Sequence, residues 1–264
     1  MQKIQSKNLK LRDSKIDEDY LNTLHDEGFE LLEEGESKKS LPFFEDMLDH
    51  ITENAGTEQL ALDMSDLYLD AMYHKGEALS NLGKNKDAFE IFNDLLRIDP
   101  KNSDALFMKG YVLSDLNRVK EAINCYRKYL KLEPRDSDAL TNLSDCLMNL
   151  KKFPDAVRAA EKAIKIEPSN YDAWYNKAES LMEIGSYDKA AMGFGKVIKQ
   201  VSTDAEAWYM KARCLAKMGE KYADDAMDAL LVAISIEPVY KKKARKEKDF
   251  SSTRKFNRFK KLIR

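Results

Sequence analysis

Cysteine, proline and glycine are all scarce in this chain of 264 residues, which has three, six and ten of them. Cys125, Cys146 and Cys214 are scattered and form no C-x-x-C pair, which argues against a disulfide framework and a zinc site and fits a reducing compartment. The low glycine and proline content disfavours a turn-rich all-β fold. No apolar run approaches the ~18–20 residues that a membrane span needs. The opening MQKIQSKNLKL is basic but lacks the apolar stretch of a signal peptide. The three histidines, His25, His50 and His74, are isolated and match no H-E-x-x-H spacing, so His25 and His74 read as surface or packing residues. There is no phosphate loop: Gly193-Phe194-Gly195-Lys196 lies inside a helical pattern. The expectation is a soluble, cytoplasmic, largely helical protein without catalytic residues, metal or cofactor. At 43% apolar it is too hydrophobic to be disordered throughout.

Charge is abundant but unevenly placed. The formal net charge of −2 conceals three regions. Residues 17–100 carry 22 acidic and 6 basic side chains, residues 101–240 carry 21 of each, and residues 241–264 carry 12 basic and 2 acidic. Such asymmetry bears on partners and association, not on fold.

The strongest positive signal is a repeat. Ile98-Asp99-Pro100, Leu132-Glu133-Pro134, Ile166-Glu167-Pro168 and Ile236-Glu237-Pro238 recur, the first three prolines 34 residues apart and the last 70 further on. Units therefore start near Leu69, Ser103, Ser137, Tyr171 and Ala205; the fourth has Ser202 in place of its proline, and the fifth carries a two-residue insertion at 220–222. The fourth position is large and apolar (Met72, Leu106, Leu140, Trp174, Trp208), the eighth small (Gly76, Gly110, Ser144, Ala178, Ala212) and the eleventh always leucine. The twentieth is alanine in every unit. Positions 4, 8 and 11 share one helical face, so each unit predicts two amphipathic helices that approach closely at the small residues. Proline ends the second helix. Ser103-Asp104, Ser137-Asp138 and Tyr171-Asp172 are expected to cap the next one.

This pattern resembles the tetratricopeptide repeat (TPR) family, strongly over residues 69–238 and in a degenerate form from about Leu21, where Leu24, Gly28, Leu31, Gly35 and Phe44 keep the spacing but Ser40 replaces the alanine. The resemblance implies an all-α fold: a right-handed α-solenoid of antiparallel helix pairs with a closing helix at the C-terminus. The expected organisation is a basic segment (1–16), a degenerate helix pair plus an extra helix or insertion (17–68), five units (69–238) and a basic capping helix (239–264). In that last segment Phe250, Phe256, Phe259, Leu262 and Ile263 are spaced as in the family's closing segments, and terminal repeats need such a cover.

The resemblance also implies where a partner binds, since in this family positions 2, 5, 9 and 12 of the first helices line a concave groove for peptides or helices. Here those positions give Asp70, Tyr73, Glu77, Asp104, Phe107, Tyr111, Asp138, Asp145, Met148, Asp172, Tyr175, Glu179, Met182 and Tyr209. Acids steer encounter and aromatics supply affinity, so the expected partner is a protein or peptide that is basic or mixed basic–apolar. Two plainer roles stay open: helix N-terminal charge for the acids at position 2, and helix packing for the rings at position 5. Chaperone-binding members clamp a C-terminal carboxylate with lysine at position 5 and asparagine at position 9. Neither occurs here, although Asn142 and Asn176 hold position 6, so an acidic C-terminal motif is excluded. The alternative reading is a nucleic-acid-associated protein acting through residues 241–264. The tail is otherwise a simple cap, or a segment that contacts the acidic first third of the chain.

Overall fold

Each repeat folds as two helices joined by a tight turn, and the turn follows one rule. The residue at position 15 takes positive φ in all six units: Gly35, Gly83, Asn117, Lys151, Gly185 and Gly219. The chain reverses there because the next backbone N–H reaches back to the leucine at position 11, as in Lys84 N to Leu79 O (2.9 Å), Lys152 N to Leu147 O (2.8 Å) and Ser186 N to Leu181 O (2.9 Å). The invariant leucine thus supplies a core side chain and an end-of-helix carbonyl. Lys151 is the costly member, since its Cβ is crowded at φ 57°. Lys151→Gly is expected to raise stability by about 1 kcal/mol, read as a higher midpoint in urea.

The computed structural model describes residues 18–54 and 65–264. The basic segment 1–16 and most of the expected insertion, residues 55–64, lie outside the described residues. All regular elements among them are helices, in two compact units, Met1–Asn117 and Arg118–Arg264. The first unit holds α1 (Glu18–Glu33), α2 (Ser37–Asn54), α3 (Ser65–Asn81), α4 (Asn85–Ile98) and α5 (Ser103–Asp115). The second holds α6 (Val119–Leu132), α7 (Ser137–Asn149), α8 (Phe153–Ile166), α9 (Tyr171–Glu183), α10 (Tyr187–Gln200), α11 (Ala205–Lys217), α12 (Ala223–Ile236), α13 (Val239–Lys246) and α14 (Asn257–Leu262). Short 3-10 turns at Glu220–Tyr222 and Lys248–Ser252 complete it. Within each unit every helix from α1 to α5 and from α6 to α12 packs on the next, the consecutive pairing of an α-solenoid. The helix α3 begins four residues before the repeat, so residues 65–68 form its first turn.

The small eighth position has a specific neighbour, the ring at position 24. A Cβ on Gly76 would lie 2.7 Å from Phe92 Cζ, and one on Gly28 3.1 Å from Phe44 Cζ. Where position 8 is Ser144, its hydroxyl donates to Ala156 O, the residue at position 20 (2.9 Å).

First-helix caps lie one residue earlier than the sequence suggests. Asn102, Asp136, Asn170 and Asp204 accept from the backbone N–H of Ala105, Ala139, Ala173 and Ala207 at 2.8–3.0 Å. Ser103, Ser137 and Tyr171 are the first helical residues. The caps also tie repeats together: Tyr171 donates to Asp204, and Asn170 to Ser137 Oγ at 2.8 Å. Proline is not required to end a second helix, because the fourth unit without it stops at the same place, with Val201 at φ −129°, ψ 87°. Trp208 Nε1 donates to Ser202 O (3.0 Å) just as Trp174 Nε1 donates to Pro168 O (2.9 Å).

Candidate functional site

The candidate residues fall on both units and are described unit by unit. In the first, α3 and α5 carry Asp70, Tyr73, Glu77, Asp104, Phe107 and Tyr111. Asp70 and Asp104 are exposed. Because α3 starts early, Asp70 sits beyond the first turn and its charge does not serve a helix N-terminus, whereas Asp104 lies in the first turn of α5. Tyr73 is half-buried with its ring 6.1 Å from that of Phe92. Burial first, then the charges of Glu77 and Asp104, pushes its hydroxyl well above the ordinary range, so it stays protonated as a donor. Of the three candidate rings Tyr111 is the most open, at 44% exposure, and Phe107 is half-buried.

The structure adds residues that the sequence reading left aside. His74 Nδ1 lies 3.2 Å from Glu77 Oε2, which makes the carboxylate its acceptor. The His74 ring sits in a cluster with Phe29 (5.1 Å), Phe44 (5.4 Å), His25 (5.5 Å) and Tyr73 (5.1 Å). His25 and Phe29 occupy positions 5 and 9 of the degenerate unit counted from Leu21, so the register that marks Tyr73 and Glu77 also marks them. Aromatics packed edge-on contribute beyond their buried area, and the cluster joins α1, α2 and α3.

In the second unit, Asp138, Asp145 and Met148 lie on α7, Asp172, Tyr175, Glu179 and Met182 on α9, and Tyr209 on α11. Asp138 and Asp172 are exposed in first turns, as the helix-terminus role requires. The Asp138 carboxyl is held above its usual range by partial burial, then by repulsion from Asp136, Glu167 and Asp172. Asp145 is raised by desolvation, against which an Asn149 hydrogen bond (3.2 Å) acts. Glu179 is raised by desolvation and then by Glu183, Glu206 and Asp145, with Arg213 opposing. These carboxylates of α7, α9 and α11 therefore sense one another, and Asp145, Glu179 and Glu206 have no ion pair among the described residues. Tyr175 stands beside Glu179 and Glu206, half-buried and edge-on to Phe194 at 5.5 Å, its hydroxyl pushed far up by burial and by Glu206 and Glu179. Asn176 is used within the fold, donating to Thr141 O at 3.3 Å.

Two expected surface residues are inside instead. Met182 is buried in the core, which leaves Met148 as the half-exposed methionine of the pair. Tyr209 is buried because the end of the chain folds over it: its ring lies 4.8 Å from Tyr240 and 6.0 Å from Phe250, and burial pushes its hydroxyl up to about 12. Next to it Arg213 pairs with Asp249 (2.9 Å) and Glu247 (3.5 Å), and Ser252 Oγ donates to Ala216 O (2.9 Å). Positions 5, 9 and 12 of the fifth unit are thus covered by Glu247–Ser252. No period could reveal this, because the covering segment does not repeat.

The tail is pinned by its arginines. Arg258 pairs with Asp224 (3.3 Å) and Asp228, Lys255 with Glu220, and Arg245 donates to Ile263 O and Arg264 O. The described ion pairs of its basic residues run to α12 and the turn before it. Phe250 and Phe259 are fully buried, so neither is open for base stacking. Among the described residues, no cluster of three His, Cys, Asp or Glu is placed to hold a metal, and no helix is long and apolar enough to cross a membrane. The three cysteines are buried, and burial pushes the Cys214 thiol up to about 12.

The family described as Psidin, N-terminal TPR repeats region, matches residues 77–210. No curated protein matches the chain. Among solved structures, the chain is similar to YrrB, a TPR protein with an unusual peptide-binding site, at 21% identity and a TM-score of 0.62, over 71% of this chain and 97% of YrrB. It is similar to PilF of Pseudomonas aeruginosa at 16% identity and a TM-score of 0.66, over 89% of this chain and 96% of that one. A tetratricopeptide repeat protein from Parabacteroides merdae aligns at 16% identity and a TM-score of 0.65, over 93% and 98%. These likenesses concern the fold.

Proposed function

Because the chain belongs to the TPR family of the Psidin N-terminal repeat region, we propose that it is a non-catalytic protein–protein interaction scaffold whose first-helix faces bind a basic or mixed basic–apolar peptide or helix. The observation that carries this reading is the unneutralised acid set Asp145, Glu179 and Glu206, of which Glu179 and Glu206 act on Tyr175 and Asp145 on Glu179. Desolvation holds Asp145 and Glu179 above the usual carboxylate range, and at Glu179 repulsion from Glu183, Glu206 and Asp145 adds to it. The one arginine within reach, Arg213, is already committed to Asp249 and Glu247. A cationic side chain from a partner relieves that repulsion, and Tyr175 offers a ring face beside it. In the first unit Tyr73, Glu77 and Asp104 repeat the combination, with Tyr111 open to solvent. YrrB, whose fold this chain shares, has a peptide-binding site, which supports assigning peptide recognition to this scaffold.

The test is titration of the full chain with a short amphipathic peptide of leucine, lysine and arginine, followed by calorimetry. Asp145→Asn with Glu179→Gln is expected to weaken binding about 3- to 10-fold at low salt, since exposed charge pairs contribute roughly 0–1 kcal/mol each. Tyr111→Ala is expected to weaken it without lowering thermal stability. The pH dependence has a definite sign. Both carboxyls are raised in the free protein, and a bound cation favours their charged forms. Binding therefore releases protons, and it tightens as pH rises through the window just above the ordinary carboxylate range. Unchanged affinity in the acid variants, with no proton release, would remove this reading.

A further inference from the structure

The basic tail divides its charge in a way that the sequence alone does not disclose. Of the 12 Lys and Arg in residues 241–264, Arg245, Arg254, Lys255 and Arg258 make hydrogen bonds or ion pairs inside the fold. Lys243 lies over the Tyr240 ring at 4.4 Å. The two acids of the segment, Glu247 and Asp249, are directed away from it, to Arg213 and Lys217 of α11. They neutralise none of the remaining lysines. Lys242, Lys246, Lys248, Lys260 and Lys261 are exposed, and Arg264 is too; none has an ion pair among the described residues.

Arg245 links two pairs of these cations. Lys242 and Lys246 are one turn apart on α13 and flank Arg245. Arg245 grips the carbonyls of Ile263 and Arg264, so the end of α14, with Lys260 and Lys261 in its last turn, is drawn to the same side of α13. Arg245, Arg254 and Arg258 build the platform, and the exposed lysines stand on it as point charges.

The face also lacks what a protein interface needs. Phe250 and Phe259 are fully buried, Tyr240 is buried, and Phe256, Leu262 and Ile263 pack against the core. Val239 is the one large aliphatic side chain of α13 and α14 that is exposed among the described residues. A tight protein partner requires a buried apolar or aromatic centre. A phosphodiester backbone requires only positive charge at adaptable positions, which flexible lysines supply, and it gains from counterion release.

We propose that the lysine face of α13 and α14 binds the phosphate backbone of nucleic acid without reading sequence. This activity is separate from the first-helix faces.

The experiment is fluorescence anisotropy of a labelled mixed-sequence RNA and of a duplex DNA against the full chain, between about 50 and about 200 mM salt. Four to seven phosphate contacts predict a slope of log affinity on log salt of roughly −3 to −5 for the single strand, a loss of about 60- to 1,000-fold over that range. Lys242→Gln with Lys246→Gln, and separately Lys260→Gln with Lys261→Gln, should each reduce the slope by about 1 to 2 and leave thermal unfolding unchanged. Asp145→Asn with Glu179→Gln should leave nucleic-acid binding intact, so the failure of either assignment is seen independently of the other. Absence of binding at about 50 mM salt overturns the proposal. So does binding that the lysine variants do not alter, or equal or tighter binding to polyglutamate or to phosphatidylserine vesicles.

Discussion

Phe250→Ala is expected to lower the stability of the chain by about 3–5 kcal/mol, the usual cost of emptying a fully buried phenylalanine site. The side chain is fully buried between Tyr209 and Phe259, with ring centroids 6.0 and 5.5 Å away. Its position is held from both sides: Asp249 by Arg213, Ser252 by the Ala216 carbonyl, and Glu247 O by Arg254 at 2.8 Å. A repeat array ends in an apolar face with no further repeat to cover it, and this segment is the cover. The loss is read by urea unfolding of the full chain. A second readout is local: Cys214, now fully buried beside Arg213, should react with a thiol reagent sooner in the variant than in the parent chain. A loss below about 1 kcal/mol with no gain in Cys214 reactivity would mean that the segment is not docked on α11 in solution.

Gly76→Val carries the next largest expected effect, a destabilisation of about 1–3 kcal/mol. The bare Cβ would already fall 2.7 and 2.8 Å from ring atoms of Phe92, which is itself fully buried and has no room to retreat. The added β-branch enlarges the clash where α3 and α4 cross. Gly195 of α10 supplies the contrast: nothing lies within 4 Å of a Cβ placed there, and its φ is not in the positive region. Gly195→Ala should stabilise by up to about 1 kcal/mol, through helix propensity alone. Thermal unfolding of the two variants beside the parent chain decides the matter. Equal effects at both sites would remove the ring at position 24 as the reason for the small eighth residue.

The repeat explains why so much of this architecture could be read without coordinates. A helix pair needs an apolar face at positions 4, 8 and 11, a small residue where the second helix crosses, and a reversal at position 15. Each is a local or nearest-neighbour demand, so it recurs every 34 residues. The same register, extended to the degenerate unit, marks His25 and Phe29; reading His25 as an isolated histidine hid the ring cluster around His74. The caps were misplaced by one residue because serine at the first helical position and asparagine or aspartate before it are both good capping types. Only the backbone geometry separates them.

The sequence by itself determined the all-helical class, the pairing of helices, the uneven charge and the candidate acids and rings of the first helices. Tertiary structure alone decided that Tyr209 and Arg213 are covered by Glu247–Ser252, that Met182 faces inward, and that Arg245, Arg254, Lys255 and Arg258 are used within the fold while Lys242, Lys246, Lys248, Lys260 and Lys261 are exposed without an ion pair among the described residues. The division has a physical cause. Periodic positions report packing between neighbours at a fixed sequence distance, whereas the closing segment meets α11 and α12 once, through contacts of 30 to 36 residues that nothing else in the chain repeats.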